Sequence, residues 1–313
     1  MYSLLLALIY LAFISLGLPD SLLGSGWPVM HAELGVPVSY MGVVSIVISG
    51  GTIVSSLLSD KLTRKLGTGG VTAASVLLTV LGLFGFSFST KFWVLLAFAV
   101  PYGLGAGAID AALNNYVALH YKARYMSWLH SFWGVGTIVS PFVMSWALTH
   151  RTWNDGYRAV ALMQLCIAVL LLVTLPVWKK AGGTAPEEKR RSVGVRGALK
   201  IKGVPYLLAG FFGYCAAEAT AMQWASTYFV AVKGLPTEDA AGLAALFYIG
   251  ITAGRFVSGF AADRLGDRKM IRLGTGVLFC GIAALALPIH SHTAAIAAFV
   301  VMGLGCAPIY PCI

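Results

Sequence analysis

Charge is scarce in this chain: Asp, Glu, Lys and Arg make up 11% of its 313 residues, against roughly a quarter in a soluble domain. Acidic residues are scarcest, at 12 against 22 Lys and Arg. A surface so poor in charge is not built to face water. Cysteine is also rare: Cys166, Cys215, Cys280, Cys306 and Cys312 each fall inside a long apolar stretch, which leaves no disulfide framework and no zinc-type spacing. There is no Walker sequence, no metal-ligand cluster and no nucleophile triad. The glycines of Gly103-Leu-Gly105-Ala-Gly107 sit within an apolar stretch with no strand before them, so they do not read as a nucleotide loop. These absences leave enzymatic chemistry without support and imply no cofactor and no metal.

What is present is apolar, with 58% of residues hydrophobic. About 20 apolar residues cross a hydrocarbon core of about 30 Å as a helix. Ten such spans can be placed: Ser3 to Gly26, Ser39 to Ser59, Gly70 to Ser89, Phe92 to Tyr116, Met126 to Thr149, Tyr157 to Trp178, Val204 to Val230, Ala240 to Ala262, Leu273 to His290 and Thr293 to Ile313. The expectation is an all-α membrane protein whose partner over most of its surface is lipid. The first span has no basic segment before it and is too long for a removable signal peptide, so it reads as a true crossing.

The net charge of +10 raises nucleic acid as a partner, and the positions of the basic residues argue against it. Seventeen of the 22 Lys and Arg residues follow even-numbered spans, four fall on the other side and Arg255 lies within a span. Basic loops mark the cytoplasmic face. The N-terminus, the loops after even-numbered spans and the polar stretch 179–203 are therefore expected inside, in a cell membrane of the inner or plasma type. That stretch contains Gly-Gly-Thr-Ala-Pro-Glu-Glu-Lys-Arg-Arg and reads as a linker between residues 1–178, with six spans, and residues 204–313, with four.

One segment repeats. Gly51-Thr-Ile-Val-Ser-Ser-Leu-Leu-Ser-Asp60-Lys-Leu-Thr-Arg64-Lys65 matches Gly254-Arg-Phe-Val-Ser-Gly-Phe-Ala-Ala-Asp263-Arg264-Leu-Gly-Asp-Arg268 at five of fifteen positions, 203 residues later. The match sets span 2 beside span 8 and implies a repeat unit of six helices. Gly103-Leu-Gly105 and Gly303-Leu-Gly305 relate spans 4 and 10 in the same way. Six plus six gives twelve spans where ten are found, so the chain reads either as a fragment or as a shortened gene.

The second copy, Gly259-Phe-Ala-Ala-Asp263-Arg264-Leu-Gly266-Asp267-Arg268, resembles the loop signature of the major facilitator superfamily, and the first copy resembles it more loosely, with Ser56 and Thr63 at the glycine positions. By that resemblance Asp60, Arg64, Asp263, Arg264 and Arg268 would gate the conformational change, with Asp263 near Met126 at the start of span 5. Within the superfamily the chain is most similar to the fucose:proton symporter and glucose carrier group. The carrying residues are Asp20 in span 1, Gly103 to Asn115 in span 4, and Tyr214-Cys-Ala-Ala-Glu218 with Gln223-Trp224 in span 7. The resemblance implies a proton-coupled carrier of a sugar or similar small polar solute. Alternatives of the same fold are a drug or metabolite exporter and a membrane sensor or fragment that does not transport.

An ionised Asp at a helix centre costs about 2.5 to 3.5 kcal/mol on insertion scales, so each acid placed there needs water, a partner or a proton. Asp110 and Asn114 are one turn apart on one face and are candidates for proton coupling and solute binding; sodium would suit the same groups. Asp20 follows Pro19, where the helix loses a backbone bond, and is the second coupling candidate. Asn115, Glu218, Gln223, Trp224 and His130 complete the candidate solute site, mixing donors, acceptors and an aromatic plate as sugars require. Arg255 lies too deep to reach the interface and is expected to pair with Glu218 or a carbonyl. In span 5, Gly134, Gly136 and Pro141 are positioned for close helix packing.

Overall fold

The computed structural model describes residues 2–182, 197, 199–287 and 291–312; the side chains of residues 2, 3, 123, 124, 179–182, 262 and 263 lie outside that description. The described residues are almost entirely helical. In chain order the helices are α1 (Tyr2–Asp20), α2 (Leu22–Glu33), α3 (Met41–Ser87), α4 (Phe92–His120), α5 (Ala123–His150), α6 (Trp153–Val173), α7 (Leu175–Gly182), α8 (Val204–Ala231), α9 (Thr237–Leu243), α10 (Ala245–Leu265), α11 (Asp267–Ala286) and α12 (His292–Cys306), with a 3₁₀ turn at Tyr310–Cys312. Among the described residues, eight stretches are long and apolar enough to cross a membrane, and one of them, Val38–Ser87, is 50 residues long. The chain is a multi-span membrane protein. At 28 residues α8 is also long enough to span, but Glu218, Gln223 and its tyrosines lower its mean hydropathy.

The first crossing is longer than the sequence implies, running from Leu4 to Glu33 as α1 and α2 with a break at Ser21. Trp27 and Met30 are fully buried, so the helix continues past Gly26 because its far end has apolar surface to cover. The break follows from Pro19, which has no N–H for the Ser15 carbonyl one turn back. Gln164 of α6 fills that vacancy, its Nε2 donating to the Ser15 carbonyl at 2.5 Å. Helix α5 holds the other side of the break: the Ser140 hydroxyl donates to the Leu18 carbonyl, and the Ser21 hydroxyl donates to the Thr137 carbonyl at 3.0 Å. Gly17 and Gly136 face these backbones, where a Cβ would strike Trp133 and Ile14 carbonyls. Interhelical bonds of this kind contribute about 0.6 kcal/mol each on average in a bilayer, so the set fixes a bend more than it stabilises the bundle.

Helix α3 has 47 residues, about 70 Å at 1.5 Å per residue and more than twice a hydrocarbon core. It turns back at Gly67, whose φ 73° and ψ 160° split it into limbs 41–66 and 68–87. Gly266 makes the same turn between α10 and α11, with φ 74° and ψ 154°. Only glycine enters that region readily.

These two turns correct the register of the repeat. They lie 199 residues apart (266 − 67), four fewer than the sequence match at 203. Packing agrees with the shorter spacing: a Cβ on Gly103 would meet the Ile48 carbonyl and one on Gly303 the Phe247 carbonyl, while Gly51 abuts Gly103 and Gly250 abuts Gly303. The sequence match is thus displaced by one helical turn, and the pairing of the second crossing with the eighth stands. Arg64, not Asp60, occupies the place of Asp263.

Candidate functional site

The bend in the first crossing leaves Asp20 at its corner, between helices α4 and α5. Its Oδ1 accepts the Tyr102 hydroxyl at 3.0 Å and its Oδ2 the Trp133 Nε1–H at 2.8 Å. Asp20 lies near the middle of the Leu4–Glu33 crossing and not at either end of it. It faces a cavity of about 240 Å³ lined also by Asp110, His130, Trp133, Glu218, Arg255 and Tyr310. Each contributing helix presents one face. Phe13, Leu16 and Asp20 lie on a stripe of α1, Ile48 and Thr52 on α3, and Tyr102, Ala106 and Asp110 at four-residue spacing on α4.

Asp110 meets Asn114 as the spacing implies: Asn114 Nδ2 donates to Asp110 Oδ1 at 2.9 Å and to its carbonyl at 3.0 Å. The amide nitrogen is thereby committed to Asp110, and the amide oxygen remains as an acceptor. Arg255 is buried and pairs with Glu218 at 3.2 Å, as its depth requires, and it also donates to the Tyr214 hydroxyl at 3.3 Å. Its guanidinium carbon lies 5.0 Å from the Trp133 ring centre and 5.6 Å from that of Tyr310. The His130 ring meets Phe13 and Tyr310 edge-on, at 5.6 and 4.8 Å between centres.

A second cavity of about 160 Å³ shares Asp20, Ile48 and Tyr102 with the first, and adds Pro19, Leu23, Ser45, Ser49, Met222 and Gln223 among its walls. Gln223 Oε1 accepts the Ser45 hydroxyl at 2.9 Å. Asp20 and Tyr102 therefore stand between two cavities. Above them α2 and α8 close together, where a Cβ on Gly24 would lie 2.7 Å from the Met222 carbonyl and 2.8 Å from that of Gln223.

Asp20, Asp110, Glu218 and His130 are thus brought to one cavity and Gln223 to its neighbour, while Asn114 reaches the site through Asp110. Trp224 is not part of either lining; it packs against the apolar cluster around Leu22, Leu23 and Trp27. Asn115 is exposed. Asp60 and Arg64 form an exposed pair at 2.7 Å, and Arg264 and Arg268 are exposed. The Asp263 side chain lies outside the described residues, although Gly259, one turn before it, approaches Ser127 of α5 with 3.6 Å between Cβ positions. Three site residues escape a sequence reading: Tyr102, Trp133 and Tyr310. Tyr102 is legible as the start of the four-residue stripe ending in Asp110, and Trp133 as lying one turn from His130.

A family model described as Major Facilitator Superfamily matches residues 9–313. An uncharacterized MFS-type transporter of Yersinia pestis is 28% identical over 306 residues, covering 96% of this chain and 77% of that protein. Bypass of stop codon protein 6 of Saccharomyces cerevisiae is 23% identical over 285 residues, 82% of this chain, and the match spans 56% of the yeast protein. The crystal structure of a D-xylose-proton symporter superposes with a TM-score of 0.72 at 14% identity, over 98% of this chain and 81% of that one.

Proposed function

The chain belongs to the major facilitator superfamily, and from that premise we propose that it is a secondary carrier that moves a sugar or similar small polar solute with protons. The observation that carries the reading is the placement of Asp20, Asp110 and Glu218 on one cavity walled by both N-terminal and C-terminal helices. A carrier of this kind exposes a fixed site first to one face and then to the other. Asp20, common to two cavities, suits a group that meets each face in turn. Ionisable groups within a membrane mark ion pathways, and Asp110 and Asp20 are assigned proton coupling.

The first cavity offers a polyol acceptors in Glu218 and in Asp110, which Asn114 holds in place, with His130 as a further polar group and the aromatic rings of Trp133 and Tyr310. The Ser45–Gln223 bond places Gln223 at the seam between α3 and α8, where it would meet a solute entering the second cavity. By the basic loops, the N-terminus and residues 179–203 are cytoplasmic, residues 1–178 and 204–313 rock against each other, and Asp60, Arg64, Asp263, Arg264 and Arg268 lie on the cytoplasmic side as gating groups.

The test is uptake by purified protein in liposomes under an imposed proton gradient, acid outside. Accumulation of a labelled pentose or hexose that collapses with a protonophore supports the reading. Export driven by the same gradient would replace it with the exporter reading, and a response to sodium alone would reassign the coupling ion.

A further inference from the structure

We propose that Trp133 is a positioning residue that ties the charge on Asp20 to the Arg255–Glu218 pair, so that a proton arriving at Asp20 loosens a contact between the N-terminal and C-terminal helices. This rests on the proton-coupled reading above and adds the part that carries the signal. Among the described ion pairs, each joins residues within the N-terminal helices or within the C-terminal helices. The indole is what stands between them. Its edge belongs to Asp20, with Nε1–H donating to Oδ2 at 2.8 Å. Its face belongs to Arg255 of α10, with the guanidinium carbon 5.0 Å from the ring centre, within the range over which a cation is held by an aromatic face.

Indole is a donor only, so its edge is satisfied best by a full negative charge. A hydrogen bond to a carboxylate is roughly twice as strong as a neutral one, and it draws electron density onto the ring, where the guanidinium is. Protonation of Asp20 weakens the bond at the edge and the attraction at the face together. The Tyr102 hydroxyl, the other donor to Asp20, is on α4, so that bond stays among the N-terminal helices. The titratable and charged groups around this contact are Tyr102 and Asp110 from α4, His130 from α5, Tyr157 from α6, Tyr214 and Glu218 from α8, Tyr248 and Arg255 from α10, and Tyr310. The indole itself meets Asp20 through its N–H and Arg255 through its face.

The experiment reads the contact, not transport. Spin labels are placed at Lys91→Cys, just before α4, and Val232→Cys, just after α8, both outside the cavities, in protein whose five native cysteines are replaced. Distance distributions are compared between about pH 5.5 and about pH 8 in liposomes, where the parent is expected to change the ratio of its two populations about fivefold or more and Trp133→Phe less than about twofold. Trp133→Phe keeps an aromatic face for Arg255 and removes the N–H, so a merely structural role would leave the pH response intact. The neutral pair Glu218→Gln with Arg255→Gln is the second arm, expected to flatten the response equally while leaving the indole on Asp20. A response that survives in either folded variant overturns the inference and leaves the proton-coupled reading standing. A parent with no response to pH overturns both.

Discussion

Removing the charge on Glu218 is expected to destabilise the protein far more than removing that on Asp60, although the Asp60 ion pair is the shorter of the two. Arg255 and Glu218 are 3.2 Å apart with side chains 3% and 11% exposed; Arg64 and Asp60 are 2.7 Å apart but 63% and 71% exposed. Water and salt screen the exposed pair, and such helix pairs contribute about 0.3 to 0.5 kcal/mol. Breaking a buried pair costs about 3 to 5 kcal/mol, because a charge is left without a partner. Arg255 has little in reserve: its Nε is already buried without an acceptor, and with the carboxylate gone its NH₂ nitrogen keeps only neutral acceptors, the substituted amide oxygen and the Tyr214 hydroxyl. Replacing both members by neutral groups removes the stranded charge, so Glu218→Gln with Arg255→Met should recover most of the loss seen in Glu218→Gln alone. The assay is equilibrium unfolding in mixed micelles, with Asp60→Asn as the exposed comparison. Equal losses for Glu218→Gln and Asp60→Asn, or a double variant as unstable as the single, would refute the burial argument.

Three further outcomes are expected. Gly24→Val should force α2 from α8 at the Met222 and Gln223 carbonyls, seen as several-fold faster labelling of Ser45→Cys by an impermeant maleimide; an unchanged rate would mean that the seam is not closed by this contact. Asn114→Ala should weaken solute binding by stripping Asp110 of its partner, while Asn115→Ala, on an exposed position, should not; calorimetric titration with the transported solute separates them, and equal losses would contradict the placement. In intact cells an impermeant reagent should label Thr152→Cys and spare Lys122→Cys, both exposed; the reverse pattern would invert the orientation taken from the basic loops.

The positions of the crossings were legible because burial in lipid demands length and apolarity, and both are local. The turn after the second crossing was not, because Asp60, Lys61, Arg64 and Lys65 read as a loop, yet charges four apart also suit an extra helical turn beyond the bilayer, and the helix runs on to Gly67. At the site, Asp110 with Asn114 and Glu218 with Arg255 could be anticipated: the first pair is fixed by helical spacing, the second by the cost of leaving a deep charge alone. Tyr102 and Trp133 were each legible as sharing a helix face with Asp110 or His130, but that both donate to Asp20 was not. Tyr102 and Trp133 come to it from α4 and α5, and which residues cross that gap depends on how the bend at Pro19 is seated against Gln164 and Ser140.

The most direct test of proton coupling through the cavity acids is solute accumulation by Asp110→Asn protein in liposomes under an inward proton gradient. The amide keeps the size of the side chain and its place beside Asn114 but carries no exchangeable charge. Solute exchange at equal concentrations should persist while accumulation against a gradient is lost. Accumulation as steep as that of the parent would contradict the account.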